Sequence, residues 1–132
     1  MDKISFNQFS AIDIRIGTVV MAEVPEWSHW VMRLKVDFGP EIGEKQCFSG
    51  IMKFYKPEDL IGNQFPFVIN LEPRKMGPEH EISEAMMIMA TPEPQASLMA
   101  VPGDSLPEQE AENTAPVLFR IQEKVDPGTK VR

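Results

Sequence analysis

One cysteine, Cys47, stands in the whole chain. A lone cysteine excludes an internal disulfide and fits a reducing compartment, so cytoplasmic location is the expectation. No apolar run approaches the roughly 20 residues that a membrane-spanning helix needs. The start, Met1-Asp2-Lys3-Ile4-Ser5, lacks the apolar core of a signal peptide, so secretion is not expected. Histidine is scarce: His29 and His80, even taken with Cys47, form no pair at metal-ligand spacing, and no metal site is expected. Gly-x-Ser-x-Gly, phosphate-loop and dinucleotide patterns are missing as well. Cys47 beside Phe48 in a strand-like run reads as a small buried hydrophobe rather than a nucleophile. The chain is therefore expected to have no catalytic group and no cofactor.

Positive charge is the other shortage. The net charge is -7, whereas nucleic-acid binders usually carry a basic footprint. The deficit is concentrated in residues 91–115, which hold Glu93, Asp104, Glu108, Glu110 and Glu112 and no Lys or Arg. The remainder is nearly neutral and can still present a basic face.

What is present reads as short strands in a single domain, residues 1–132. Ser5 caps a turn or short helix with Phe6 and Phe9 on one side. Residues 12–24 alternate as a long strand, and Gly17 within it suggests a bulge or bend. Residues 30–38 alternate most clearly, with Trp30, Met32, Leu34, Val36 and Phe38 on one face and Val31, Arg33, Lys35 and Asp37 on the other. A turn at Gly39-Pro40 precedes a strand over 45–51. Lys56-Pro57-Glu58-Asp59-Leu60-Ile61-Gly62 has the proline, acids and glycine of one helical turn, which accounts for Glu58 and Asp59 without acid–base chemistry. Further strands are expected over 64–70, with Pro66 demoting part of it to an edge or bulge, over 86–90, apolar on both faces, and over 116–121. Between the last two lies an acidic excursion with four prolines at about 91–115, partly disordered, in which Leu98–Val101 could pair briefly. Asp126-Pro127-Gly128-Thr129 is a turn near the end. Five or more short strands around one helical turn fit a five-stranded, partly open Greek-key barrel, an architecture that often binds oligonucleotides. A sandwich would need about seven strands in this length.

The functional signal lies between the strands at 64–70 and 86–90. There Asn70-Leu71-Glu72-Pro73-Arg74-Lys75-Met76-Gly77 and Ser83-Glu84-Ala85-Met86 form a short basic loop. Lys35, Lys45, Lys53, Lys56, Arg74 and Lys75 are the candidate basic face. Arg74 and Lys75 stand out because a rigid turn can bring paired cations to successive phosphates. Trp27 and Trp30, flanking Ser28-His29, either stack on bases or pack over a barrel mouth or partner. Met86, Met87 and Met89 are core and interface filler or a soft recognition surface.

Taken in order, Asp13-Ile14-Arg15-Ile16-Gly17, Leu34-Lys35-Val36-Asp37, Phe48-Ser49-Gly50-Ile51, Tyr55 to Gly62, Asn70 to Gly77, Ser83 to Met86 and Pro127 to Val131 resemble the tRNA-binding domain. That domain is appended to methionyl-tRNA and tyrosyl-tRNA synthetases and also occurs as a free-standing dimer. Asp37-Phe38-Gly39, Glu41-Ile42-Gly43 and Lys45-Gln46 look like its CsaA branch, an export-related chaperone. The resemblance implies an OB-fold, dimerisation, and tRNA binding by shape and backbone with little sequence reading. It places Lys35, Ser49, Asn70, Arg74, Lys75, Ser83, Glu84 and Met86 around the RNA surface. It also implies two alternatives: a CsaA-like chaperone binding unfolded peptides in an apolar groove, and a docking subunit delivering tRNA to a separate aminoacyl-tRNA synthetase.

Overall fold

The computed structural model of the protein describes residues 2–92 and 115–132. The acidic excursion expected at about 91–115 falls almost wholly outside the described residues, and the Leu98–Val101 pairing falls entirely outside them. Ser5 opens helix α1 (Phe6–Ser10) as expected, its hydroxyl accepting from Gln8 N while Gln8 Oε1 accepts from Ser5 N. None of the α1 side chains is buried.

Strand β1 (Ile14–Glu23) departs from simple alternation. Its pairing with β2 (Met32–Asp37) slips between Val19 and Met21, so Val19 and Ala22 point inward while Val20 and Met21 are exposed. The bulge therefore sits at Val20, not at Gly17. Gly17 serves packing instead: a Cβ there would run into Val36 Cγ1 and lie 2.6 Å from Phe38 Cε1. In β2 the alternation holds, with Met32, Leu34 and Val36 fully buried. The Gly39-Pro40 turn is a four-residue helix, α2 (Gly39–Ile42), which leads into β3 (Glu44–Ser49), antiparallel to β2. Helix α3 (Pro57–Leu60) forms at the expected place and plugs the core with Leu60, fully buried. Strand β4 (Gln64–Val68) pairs with β1.

The stretch expected to be a basic loop is a hairpin, β5 (Arg74–Met76) against β6 (Glu81–Ser83), turning at Gly77. The apolar run 86–90 is not one doubly buried strand. It divides into β7 (Met86–Met87) on β4 and β8 (Met89–Ala90) on β9 (Val117–Leu118), and Met86 is 49% exposed. Only residues 117–118 of the expected 116–121 strand pair. Pro66 does not make β4 an edge. The strand lies between β1 and β7, the β7 pairing stops at Phe67, and the Pro66 carbonyl accepts from Ile88 N. After the Asp126–Thr129 turn, β10 (Lys130–Val131) pairs with Ile14 and Arg15.

The main sheet runs β3-β2-β1-β4-β7 and curls until its ends meet. Glu84 N donates to Gln46 O at 2.8 Å, the Glu84 carboxylate accepts from Gln46 N at 3.4 Å, and Ser83 Oγ accepts from Phe48 N at 3.2 Å. These bonds satisfy the outer edge of β3 and make a nearly closed barrel of the OB-fold kind. Inside it, Phe38 meets Phe67 edge-on, ring centres 5.4 Å apart. Among the described residues no helix is long and apolar enough to cross a membrane.

Candidate nucleic-acid interface

The alternation that buries Met32, Leu34 and Val36 turns Arg33 and Lys35 out of the barrel. Register then fixes what lies beside them. Lys35 pairs with Gln46, Gln46 Nε2 donates to the Ile82 carbonyl at 3.1 Å, and Ile82 pairs with Lys75. In the neighbouring row, Arg33 pairs with Phe48, Phe48 N donates to Ser83 Oγ, and Ser83 pairs with Arg74. Two parallel rows thus cross from β2 over β3 and β6 to β5, each with a cation at both ends. At about 4.8 Å per strand the span is roughly 15 Å. Lys35, Arg74 and Lys75 are exposed and make no ion pair among the described residues. Because Arg74 and Lys75 are successive strand residues, they project to opposite sides of the hairpin rather than side by side.

Arg33 differs from the other three. Its guanidinium grips Glu81 with two bonds, Nε to Oε1 at 2.8 Å and Nη2 to Oε2 at 2.6 Å, and donates to Glu23 Oε1 at 2.8 Å through Nη1. It also lies 5.7 Å over the Phe48 ring. Trp27 Nε1 donates to the same Glu81 Oε2 at 3.0 Å, and its indole sits on the hairpin turn. A Cβ at Gly77, whose φ of +74° already favours glycine, would come within 2.5 Å of Trp27 Cε2. The Trp27 ring packs against Phe48 with centres 5.7 Å apart. Hydrogen bonding to Arg33 holds the Glu81 carboxyl below its ordinary range, and the Glu81 bond raises Arg33 in turn.

The remaining expected site residues divide by what they hold. Ser83 and Glu84 spend their side chains on the β3 edge. Asn70 ties the approach to β1, accepting from Asp13 N at 2.8 Å and donating to Ala11 O at 2.7 Å. Ser49 is buried. Met86 lies half-exposed on β7. Trp30 is half-buried over Gly50, where an added Cβ would lie 2.7 Å from its Nε1. Gln46 and Phe48 join the surface without a signal in the sequence beyond strand parity. Lys45 is half-buried on β3, and Lys56 is exposed just before α3.

A separate open groove of about 820 Å³ lies where α3 and β4 face residues 117–124. Phe54, Tyr55, Phe65 and Leu118 give it apolar walls, and Glu58, Asp59, Arg120 and Lys124 are among its charged lining residues. Tyr55 Oη donates to the Pro116 carbonyl at 2.8 Å and holds this limb in place.

A family model described as "Putative tRNA binding domain" matches residues 14–130. The chain is 37% identical over 106 residues to the methionine–tRNA ligase of Clostridium perfringens, covering 80% of this chain and 16% of that protein. It is 48% identical over 73 residues to the methionine–tRNA ligase of Methanothrix thermoacetophila, covering 55% of this chain and 10% of that one. The chain therefore spans only a small part of the length of these curated relatives. Among solved structures, it superposes on a MetRS-related protein from Pyrococcus horikoshii with TM-score 0.78 and 26% identity, over 100% of both chains. On the chaperone CsaA from Bacillus anthracis the TM-score is 0.72 with 33% identity, over 99% of this chain and 100% of that one.

Proposed function

The chain belongs to the tRNA-binding domain family, and from that premise we propose that it is a stand-alone tRNA-binding protein, cytoplasmic and homodimeric, without catalytic activity of its own. It recognises tRNA through shape and backbone rather than sequence. The observation that carries this reading is that Lys35, Arg74 and Lys75 stand exposed and make no ion pair among the described residues, Lys35 on the outer face of β2 and Arg74 and Lys75 on the two sides of the outer hairpin. Exposed cations on a strand and a hairpin beside it can meet ribose-phosphate oxygens. The relation to methionine–tRNA ligases and the likeness to a MetRS-related protein support tRNA as the ligand. The dimer would use the exposed apolar side of α1, where Phe6 and Phe9 are 78% and 42% exposed, together with Ile4 just before it.

Filter binding with total tRNA at two ionic strengths tests this. Arg74→Ala/Lys75→Ala should weaken binding and make the slope of log K against log salt shallower by about 1.4–1.8, the value for two lost phosphate contacts. No retention of tRNA by the unmodified protein at low salt would end the reading.

The groove beside α3 favours a second reading, a CsaA-like chaperone that takes unfolded peptide between Tyr55 and Leu118. Suppression of client aggregation that persists at high salt, without tRNA retention, would select it. Co-purification with a synthetase would instead select the docking role.

A further inference from the structure

We propose that Glu81, an acid beside the cations of the proposed RNA surface, strengthens RNA binding, because it pins the cationic hairpin to the barrel. This rests on the tRNA-binding reading above. A two-stranded hairpin is marginal by itself, and this one has little apolar surface to dock with: Arg74, Lys75 and residues 77–80 are all exposed, and Ile82 is 39% exposed. Its attachment is polar. At the stem, the Ile82 carbonyl and Ser83 hydroxyl hold β3. Toward the turn, the one hydrogen-bonding anchor among the described residues is the Glu81 carboxylate, which accepts twice from Arg33 and once from Trp27. Bidentate geometry fixes direction as well as distance. It therefore sets the angle at which β5 presents Arg74 and Lys75 relative to Lys35. Glu81 is a positioning residue: its own charge is consumed by Arg33 and costs the RNA face little.

Charge alone and this arrangement predict opposite outcomes for one substitution. Glu81→Gln removes a negative charge from the RNA face, which by long-range electrostatics should tighten tRNA binding. Loss of the anchor should weaken it about tenfold near 0.1 M salt, the effect of losing between one and two phosphate contacts. Glu79→Gln is the matched control. It makes the same charge change in the same hairpin, and Glu79 is exposed with no hydrogen bond or ion pair among the described residues. It should bind as well as the unmodified protein or slightly better.

Hydrogen exchange of residues 74–83 supplies a readout that does not depend on RNA. Exchange should accelerate in Glu81→Gln and stay unchanged in Glu79→Gln, with the barrel strands unaltered in both. Weaker binding, a shallower salt slope and faster hairpin exchange in Glu81→Gln alone would establish the role. Equal or tighter binding of Glu81→Gln, or hairpin exchange identical in the two variants, would overturn it. If the unmodified protein retains no tRNA, the RNA reading fails, and the exchange comparison still decides whether Glu81 pins the hairpin.

Discussion

Cys47 shows how far burial alone changes the chemistry of a side chain. It lies on β3 with 1% of its surface exposed, and burial pushes its thiol up to about 12 from an ordinary value of 9.0. Native protein should thus resist alkylation by iodoacetamide at pH 8 and react fully in denaturant. The sign of the linkage follows from the raised value. Below about pH 9 the thiol is neutral in both folded and unfolded chains and stability is unaffected. Above it the unfolded chain ionises first, so stability should fall by about 1.4 kcal/mol per pH unit until the folded thiol titrates near 12. Urea unfolding of Cys47→Ser compared with the unmodified protein between pH 8 and 11 checks this, since the serine variant lacks that slope. Cys47 was legible in the sequence because a lone cysteine beside Phe48 in a strand-like run has one ordinary fate. Arg33, Glu81 and Trp27 were not: they meet across 48 and 54 positions, and no local pattern links them. Trp27 had two open readings, and the structure gives it a packing and hydrogen-bonding place on the hairpin.

Among the elements, legibility followed the strength of the period. β2 could be read because three inward side chains alternate with three outward ones. β5 and β6 could not, since three-residue strands around Gly77-Pro78 carry turn residues and no apolar alternation. The division of 86–90 at Ile88 was equally hidden, because a run apolar on both faces gives no hint of where it changes partner. The bulge at Val20 reverses the parity of β1, which a count by twos cannot detect. The seal at the outer edge of β3 adds side-chain bonds to the main-chain bond from Glu84 N to Gln46 O, and this makes it testable. In Ser83→Ala the Phe48 N–H loses its acceptor, and the loss should cost about 1–3 kcal/mol in urea unfolding. Lys35 and Arg74, which make no such bond, should be neutral to stability when replaced by Ala.

For the whole molecule, the barrel was legible from strand number, length and the placement of one helical turn, whereas the outer hairpin was not. The residues that the family pattern grouped as one surface prove to have two occupations. Lys35, Arg74 and Lys75 face solvent, while Asn70, Ser83 and Glu84 hold the scaffold that presents them. Assembly is the further question at this scale. A capped helix with no buried side chain leaves Phe6 and Phe9 facing water. Phe6→Glu/Phe9→Glu should convert the proposed dimer to a monomer in light scattering and abolish any dependence of Tm on protein concentration.

The meeting line between Ser83-Glu84 and β3 is a seam laced largely by side chains, with one main-chain stitch from Glu84 N to Gln46 O, along a cylinder otherwise woven from main chain. The ribbon that carries the two outer cations hangs from that same lacing, so how those cations are presented depends on the seam staying tied.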